Sequence, residues 1–172
     1  FVTHQTVEHY SGDCALAFVF KDKTHQNKDL QQLLELNRFD AIVGATLMLS
    51  QVSGYKTKRL LIVGLGDSSL NEKNYVKVLN SLSSALSDAK VKNVVIPDIQ
   101  IDNRDESWVQ LTTARVLKNA SYQVEKVDAK EENEKQTLEA VSIYSENNDA
   151  AEINKGLAIA NGMALTRRLG DL

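Results

Sequence analysis

The sequence is short of the residues that cross-link, break or disorder a chain. Its 172 residues include one cysteine, one proline and eight glycines. A single thiol, Cys14, cannot form an internal disulfide, which excludes the disulfide-rich secreted scaffolds and agrees with a reducing cytoplasm. The scarcity of proline and glycine argues against a long disordered linker. A chain of this length buries enough apolar surface to fold as one good-sized domain without covalent cross-links.

Clustered positive charge and long hydrophobic runs are also missing. The formal net charge is -3, and no run of Lys or Arg exceeds a pair. This excludes the charge pattern of a dedicated DNA-binding protein, and basic residues such as those at 56–59 form at most a small patch. The apolar runs are far shorter than the ~20 residues that span a bilayer, and no secretory signal is visible. We therefore expect a cytoplasmic protein with no membrane segment. Because the sequence starts at Phe1 and not at Met, we also expect it to belong to a longer one.

Apolar residues recur along the chain with the periods of strands and helices. In the first half, the patterns predict a buried strand at 14–22, an amphipathic helix at 27–37 capped by Asn27, and a hairpin of strands at 45–52 and 59–66. They then predict a helix whose apolar face runs from Tyr75 to Ala89, a strand at 91–97 and a helix at 105–120. Last come a pair of strands at 122–128 and 138–145 joined by the charged turn 129–136, and a final helix that starts at Asn148 or Asp149 and ends with Arg167 and Arg168 ahead of Gly170.

This order of elements predicts an α/β/α sandwich with a mixed sheet. Residues Leu60 to Val63 are apolar on both faces, so we expect them in a central strand. Trp108 is expected to be at least partly buried. At the helix after Gly66, Ser69 and Glu72 have the spacing of a capping box, with Asn71 as a competing cap.

The segment VGLGDSS at 63–69 combines a strand, a Gly-x-Gly turn and a helix start. Helix amides in such a setting can bind a phosphate group. The dinucleotide fingerprint is incomplete, however, because position 69 is serine, and no acidic residue follows a second strand at the usual distance of about 20 residues. The alternative is that Gly64 and Gly66 only permit a tight turn, and this interpretation is favoured.

Residues that bind metals or act as catalysts are present but not arranged in a known motif. His4, His9, Cys14 and His25 match no zinc-binding spacing, so surface histidines and a buried cysteine are favoured over a metal site. The acids at 102–106 fit a helix cap and first turn, and those at 130–135 fit a solvated turn. No Ser or Cys stands in a nucleophile motif. No catalytic, metal-binding or cofactor-binding residue is therefore assigned, and the residues alone indicate a binding or architectural module.

The final predicted helix has small residues on one face. Gly156, Ala160 and Ala164 are spaced four apart, so another backbone can approach them closely. We expect this face to need a partner that lies outside residues 1–172, and to pack poorly or against a second copy without it.

Two stretches resemble a known family. GLAIANGMALTRRLGDL, at 156–172, resembles the domain junction of the leucyl aminopeptidases, the cytosol aminopeptidase family. RLLIVGLGDSSLNEKNYVKVLNSLSSAL, at 59–86, resembles a strand and helix of that family's N-terminal domain. The order of elements fits the family from about residue 14 to 172, so the resemblance implies residues 1–147 as an N-terminal domain similar to macro domains. It implies 148–172 as a connector helix leading to a catalytic domain beyond Leu172.

The resemblance also implies the parent protein's activity. Such a parent is a metal-dependent aminopeptidase that releases N-terminal residues, leucine preferred, from peptide substrates. Two divalent ions, manganese or zinc, would be held by the C-terminal catalytic domain, and six copies would form a homo-hexamer with the N-terminal domains at the periphery. The chain itself would be inactive and would shape the oligomer. A binding module for DNA or an ADP-ribose-like ligand is the alternative, although the chain has neither a basic stripe nor a complete glycine-rich loop.

Overall fold

The computed structural model describes residues 1–128, 138–146 and 150–170. The predicted turn at 129–136, with its acids at 130–135, and the predicted caps Asn148 and Asp149 lie outside the described residues. The described elements are, in chain order, β1 (Val2–Thr3), β2 (Cys14–Phe20), α1 (Lys28–Leu36), β3 (Thr46–Ser50), β4 (Arg59–Gly66), α2 (Glu72–Asp88), β5 (Asn93–Ile96), α3 (Glu106–Asp128), β6 (Ala140–Tyr144) and α4 (Ala151–Gly170).

The strands form one mixed sheet in the order β1-β6-β5-β2-β4-β3. The pairs β2–β4, β2–β5, β5–β6 and β1–β6 are parallel. Strand β3 pairs antiparallel with β4, as the hairpin prediction required. Strand β4 therefore lies between two neighbours, and residues 60–63 are buried, which confirms them as an interior strand. Strand β1, which no sequence pattern indicated, adds two residues at the opposite edge.

The interior strands read as continuous apolar runs because helices cover both faces of the sheet. On β2, Leu16 points into the cluster that α2 and α3 cover, whereas Ala15 points into the cluster that α1 covers. On β4, Leu61 and Leu60 divide in the same way. The α/β/α layering with a mixed sheet is thereby confirmed. None of the helices in the described part of the chain is long and apolar enough to cross a membrane.

The starts of α1 and α2 are fixed by asparagine side chains. The Asn27 side chain accepts hydrogen bonds from the N–H groups of Asp29 and Leu30, as predicted. At α2 the cap is Asn71, which accepts from the N–H of Asn74 at 2.9 Å. The predicted capping box of Ser69 and Glu72 is wrong because α2 begins at Glu72, and its carboxylate instead accepts a hydrogen bond from Arg104 at 2.6 Å.

Trp108 is partly buried, as predicted, at the contact between α2 and α3. The centroid of its ring lies 6.2 Å from that of the Tyr75 ring. The Arg104 guanidinium carbon lies 5.3 Å from the centroid of the same Trp108 ring. The buried Tyr75 hydroxyl pairs with the Thr113 hydroxyl at 2.7 Å, so α2 and α3 are joined by a polar contact inside an apolar interface.

The predicted strand at 122–128 is wrong: α3 continues through Asp128. Neither Gly nor Pro occurs between residues 106 and 128, so nothing in the backbone chemistry ends the helix at 120. Strand β6 exists within the predicted 138–145, but its partners are the parallel strands β5 and β1 rather than a preceding antiparallel strand.

The prediction that the small face of the last helix lacks a partner in this chain is also wrong. Gly156 and Ala160 are buried, and α4 packs along α3. A Cβ placed on Gly156 would lie 2.3 Å from the Leu111 carbonyl oxygen and 3.0 Å from the Ala114 Cβ. The absent side chain therefore lets the two helix backbones touch. The sequence could not reveal this, because α3 and α4 are separated by β6.

Candidate functional site

The Gly-x-Gly turn after β4 is shaped by contact with the chain segment 41–45. A Cβ on Gly64 would lie 2.4 Å from the Ile42 carbonyl oxygen, and Gly66 has a φ of +82° that favours glycine. The Gly64 N–H donates to the Ala45 carbonyl at 2.8 Å, and the Gly66 N–H donates to the Ala41 carbonyl at 2.8 Å. Both glycines are therefore explained by close backbone packing without a phosphate ligand.

A cavity of about 380 Å³ opens beside this turn, where the loops after β2, β4 and β5 meet. The connection from β2 leads toward β4 and that from β5 leads toward β6, so the cavity lies at a topological switch point, where open α/β sheets commonly bind ligands. We call it the switch-point pocket; it is lined by Phe18, Phe20, Lys23, Leu65, Ser68, Ser69, Leu70, Asp98, Ile99, Gln100 and Asp102.

The charges of the switch-point pocket do not favour a phosphate. Its one cationic side chain, Lys23, lies 4.4 Å from the Phe20 ring centroid and 3.5 Å from the Ser68 carbonyl oxygen. The carboxylates of Asp98 and Asp102 are exposed at the same cavity. Two negative charges against one positive charge repel an anion, so a small neutral or cationic molecule suits the pocket better.

The predicted ligand-type residues near the N-terminus do not converge. His9 Nδ1 lies 2.8 Å from the Thr6 hydroxyl, while His25 Nδ1 accepts from the Asn27 N–H at 3.1 Å, and burial lowers the His25 pKa. Cys14 is fully buried in β2, where burial raises the pKa of its thiol to about 11 and keeps it protonated at neutral pH. Within the described ranges, no group of three or more His, Cys, Asp or Glu side chains could hold a metal ion.

Asp105 and Glu106 have the local roles that the sequence indicated for the acids at 102–106, whereas Asp102 lies at the switch-point pocket. The Asp105 carboxylate accepts from the Trp108 N–H at 2.9 Å, as a residue that caps α3 does. Glu106, in the first turn, accepts from the Ser145 hydroxyl at 2.6 Å and from the Gln110 amide at 2.8 Å. These bonds fix the start of α3 against the end of β6.

One ion pair that sequence reasoning missed lies at the amino ends of β2 and β4. The Arg59 guanidinium donates to both carboxylate oxygens of Asp13, at 2.5 and 3.1 Å, and to the Ala89 carbonyl at 2.5 Å. Burial acts to raise the Asp13 pKa, but the hydrogen bonds from Arg59 and from the Lys92 N–H outweigh it and lower that pKa. The sequence did carry a signal for this pair: an acidic residue, Asp13, directly precedes β2, and a basic residue, Arg59, begins β4. The pair lies at the amino ends of the strands, whereas the switch-point pocket lies at their carboxyl ends, which indicates a structural role for the pair.

Comparison with known proteins gives the family. The model of the cytosol aminopeptidase family, N-terminal domain, matches residues 15–131. A probable cytosol aminopeptidase of Vesicomyosocius okutanii subsp. Calyptogena okutanii (strain HA) is 39% identical over 170 residues, which cover 98% of this chain and 35% of that relative. The chain spans about a third of the length of the curated relatives it matches.

Solved structures show the same fold at low identity. A mutant of tomato leucine aminopeptidase has a TM-score of 0.64 at 19% identity, over 95% of this chain and 35% of the other. A bottromycin maturation enzyme in complex with Mn has a TM-score of 0.63 at 14% identity, over 91% of this chain and 31% of the other. The macrodomain of Mycobacterium tuberculosis DarG has a TM-score of 0.59 at 11% identity, over 83% of this chain and 95% of the other.

The likeness to a macrodomain confirms the macro-domain-like architecture, because the match covers nearly all of that smaller protein. It carries no function to this chain, since one fold serves many activities. The family assignment rests instead on the sequence match over residues 15–131. The chain therefore belongs to the cytosol aminopeptidase family and corresponds to its N-terminal domain.

Proposed function

We propose that this chain is the non-catalytic N-terminal part of a bacterial-type leucyl aminopeptidase. In this proposal the parent protein releases N-terminal residues, leucine preferred, from peptides in the cytoplasm. The observation that carries the proposal is the family match over residues 15–131 together with relatives, named probable cytosol aminopeptidases, of which the chain spans about a third. The rest of such a protein is long enough to hold a separate active site.

The described residues of this chain do not fit a pair of metal ions. Two-metal hydrolysis requires several carboxylates that converge on ions about 3.5–4 Å apart. Here Asp13 is paired with Arg59, while Asp105 and Glu106 accept hydrogen bonds at the start of α3. We therefore assign the two manganese or zinc ions, and the bound peptide, to the C-terminal domain of the parent. The manganese complex of the bottromycin maturation enzyme supports a metal in a protein of related fold.

The role that we propose for the domain itself is architectural. Residues 1–147 would form a peripheral domain of a homo-hexamer, with 148–172 as the connector to the catalytic domain. Support comes from the polar side chains described above, which serve as caps, ion pairs and inter-element contacts rather than converging on a reaction centre. A domain built in this way can limit access to a catalytic chamber without touching the substrate.

A binding role is the second candidate, and the switch-point pocket is the observation that favours it. Its volume of about 380 Å³ lies at the lower end of ligand sites. An ADP-ribose-like ligand would bring two phosphates into a pocket that Asp98 and Asp102 make more negative than positive, which is electrostatically unfavourable. DNA is less favoured still, because Arg59, the last residue of the basic segment 56–59, is engaged by Asp13.

Hydrolysis of leucine amide tests the proposal. Residues 1–172 with added manganese or zinc should release no leucine, whereas the chain extended through the relatives' full length should release it and lose activity with a chelator. The protein should be assayed with each metal separately and with the chelator alone as the matched blank. Intact leucyl substrates after incubation with the metal-loaded full-length protein would contradict the proposed activity, and hydrolysis by residues 1–172 would contradict the non-catalytic role.

A further inference from the structure

Helix α4 is apolar on the face that points away from α3 as well as on the face that packs against it. At helical spacing, Ala158, Gly162, Leu165 and Leu169 fall on one line opposite the buried Ile153, Gly156 and Ala160. Together with Ile159 and Met163, which lie between that line and the buried face and are also exposed, they form what we call the outer face of α4. An ordinary surface helix has charged or polar side chains in these positions.

The outer face is open among the residues that the structure describes. Leu165 and Leu169 are 59% and 63% exposed, and Ile159 and Met163 are 44% and 37% exposed. A Cβ on Gly162 would meet no atom of the described part of the chain within 4 Å. No charged side chain occurs from 156 to 166, so this stretch of the helix places no charge among these apolar residues. A contiguous apolar face of this kind marks a surface that another protein segment covers.

We infer that the outer face of α4 is the docking surface for the polypeptide that follows α4 in the full-length protein. This inference rests on the proposed function only in requiring that longer chain. The chain spans only 35% of such a relative and corresponds to the family's N-terminal domain, so we place the additional polypeptide after α4. Exposure is also greatest at Leu165 and Leu169, near the end of the helix from which that polypeptide would continue.

Covalent attachment favours this occupant over a second copy of the chain. A segment joined by a short linker acts at an effective concentration near the millimolar range, which a separate copy does not reach in dilute solution. The absence of charge from 156 to 166 suits a core-like contact within one protein. A membrane surface fits poorly, because a helix that lies on lipid needs a solvated basic face, and the face opposite these residues packs on α3.

Amide hydrogen exchange of the full-length protein and of residues 1–172 tests this inference. We expect the amides of 161–170 to exchange at least tenfold more slowly in the full-length protein. Replacing Leu165→Gln and Leu169→Gln together should remove that difference, because glutamine keeps the helix propensity of leucine but not its apolar contact. The matched control is Leu36→Gln on α1, a leucine that is 79% exposed, which should leave the exchange of 161–170 unchanged.

A photo-crosslinker attached at Leu165→Cys identifies the occupant. Crosslinks to residues beyond 172 of the same chain support the inference. Crosslinks between two chains at this face, or equal exchange of 161–170 in both proteins, would overturn it. Leucine amide hydrolysis is measured on the same full-length samples. An active protein with an uncovered outer face refutes the docking alone, whereas an inactive protein with a protected outer face refutes only the proposed activity.

Discussion

Two glycines of α4 occupy opposite environments, so their replacement by alanine should have opposite effects on stability. Gly156 lies against α3, where an added Cβ would be 2.3 Å from the Leu111 carbonyl oxygen. For Gly162, no atom of the described residues lies within 4 Å of an added Cβ. Both residues lie inside the same helix, so the gain in helix propensity on replacing glycine is the same for both, and the difference reports the α3–α4 contact.

The magnitude follows from these two distances. Gly162→Ala should stabilise the fold of residues 1–172 by about 0.5–1 kcal/mol through helix propensity. For Gly156→Ala, the new methyl group must move by about 1 Å to reach the ~3.3 Å of an ordinary C···O contact. The obstacle is a backbone oxygen that cannot rotate away, so we take the upper part of the ~1–3 kcal/mol range for overpacking. The net effect is a destabilisation of about 1–2 kcal/mol, or roughly 2–3 kcal/mol relative to Gly162→Ala.

Thermal and urea unfolding of the two variants and the parent chain measure this difference. For a chain of this size, 1 kcal/mol shifts Tm by about 2–4 °C, so the two variants should differ by about 5–10 °C. Urea unfolding should give the same order of stability with unchanged m-values, which would show that the compactness of the end states is unaltered. Equal increases in Tm for both variants would refute the close contact between α3 and α4.

Three further predictions concern the ion pair, the thiol and the pocket. The pKa of Asp13 is lowered in the folded protein, so its contribution to stability is present above the unfolded pKa and is lost as pH falls through the folded one. Asp13→Asn should therefore lower the free energy of unfolding, measured with urea at pH 7, by about 1–2 kcal/mol. The difference in unfolding free energy between the variant and the parent should shrink as pH falls below 3.8, the ordinary pKa of aspartate, and a difference that stays constant with pH would contradict this. Cys14, buried and with a pKa raised to about 11, should react with a thiol reagent at pH 8 only as fast as the protein unfolds, and rapid native-state labelling would count against its burial. Calorimetric titration with ADP-ribose should give no heat attributable to binding at the switch-point pocket, and a micromolar dissociation constant that Asp98→Asn strengthens would instead establish the binding role.

The sequence could predict those parts of the fold that depend on neighbouring residues. Asn27 caps α1 because its side chain reaches amide groups of the next turn, and this geometry is local. The hairpin of β3 and β4 is predictable for the same reason, since only the eight residues 51–58 separate the two strands and leave few alternatives for their pairing. The burial of Leu60 to Val63 follows from apolar side chains on both faces of one strand. The family resemblance at 59–86 and 156–172 likewise depends only on the order of residues.

The sequence could not predict contacts between distant segments. The end of α3 was misplaced because Val124 and Val127 suit a strand as well as a helix, and only the sheet order shows that β6 pairs in parallel with β5 and β1. The switch-point pocket escaped notice because its walls come from three separate loops.

For α4, the spacing of Gly156, Ala160 and Ala164 was sufficient to predict a closely packed face, because four-residue spacing places side chains on one side of any helix. The spacing alone did not show which element is the partner. Helix α3 became that partner because the sheet sets β5 beside β6, and the helices that flank these strands are then brought together. The sequence by itself thus indicated most of the elements, though not β1 or the full length of α3, and which faces must be covered. The tertiary structure alone decided what covers them, because that depends on a strand order which no local interaction specifies.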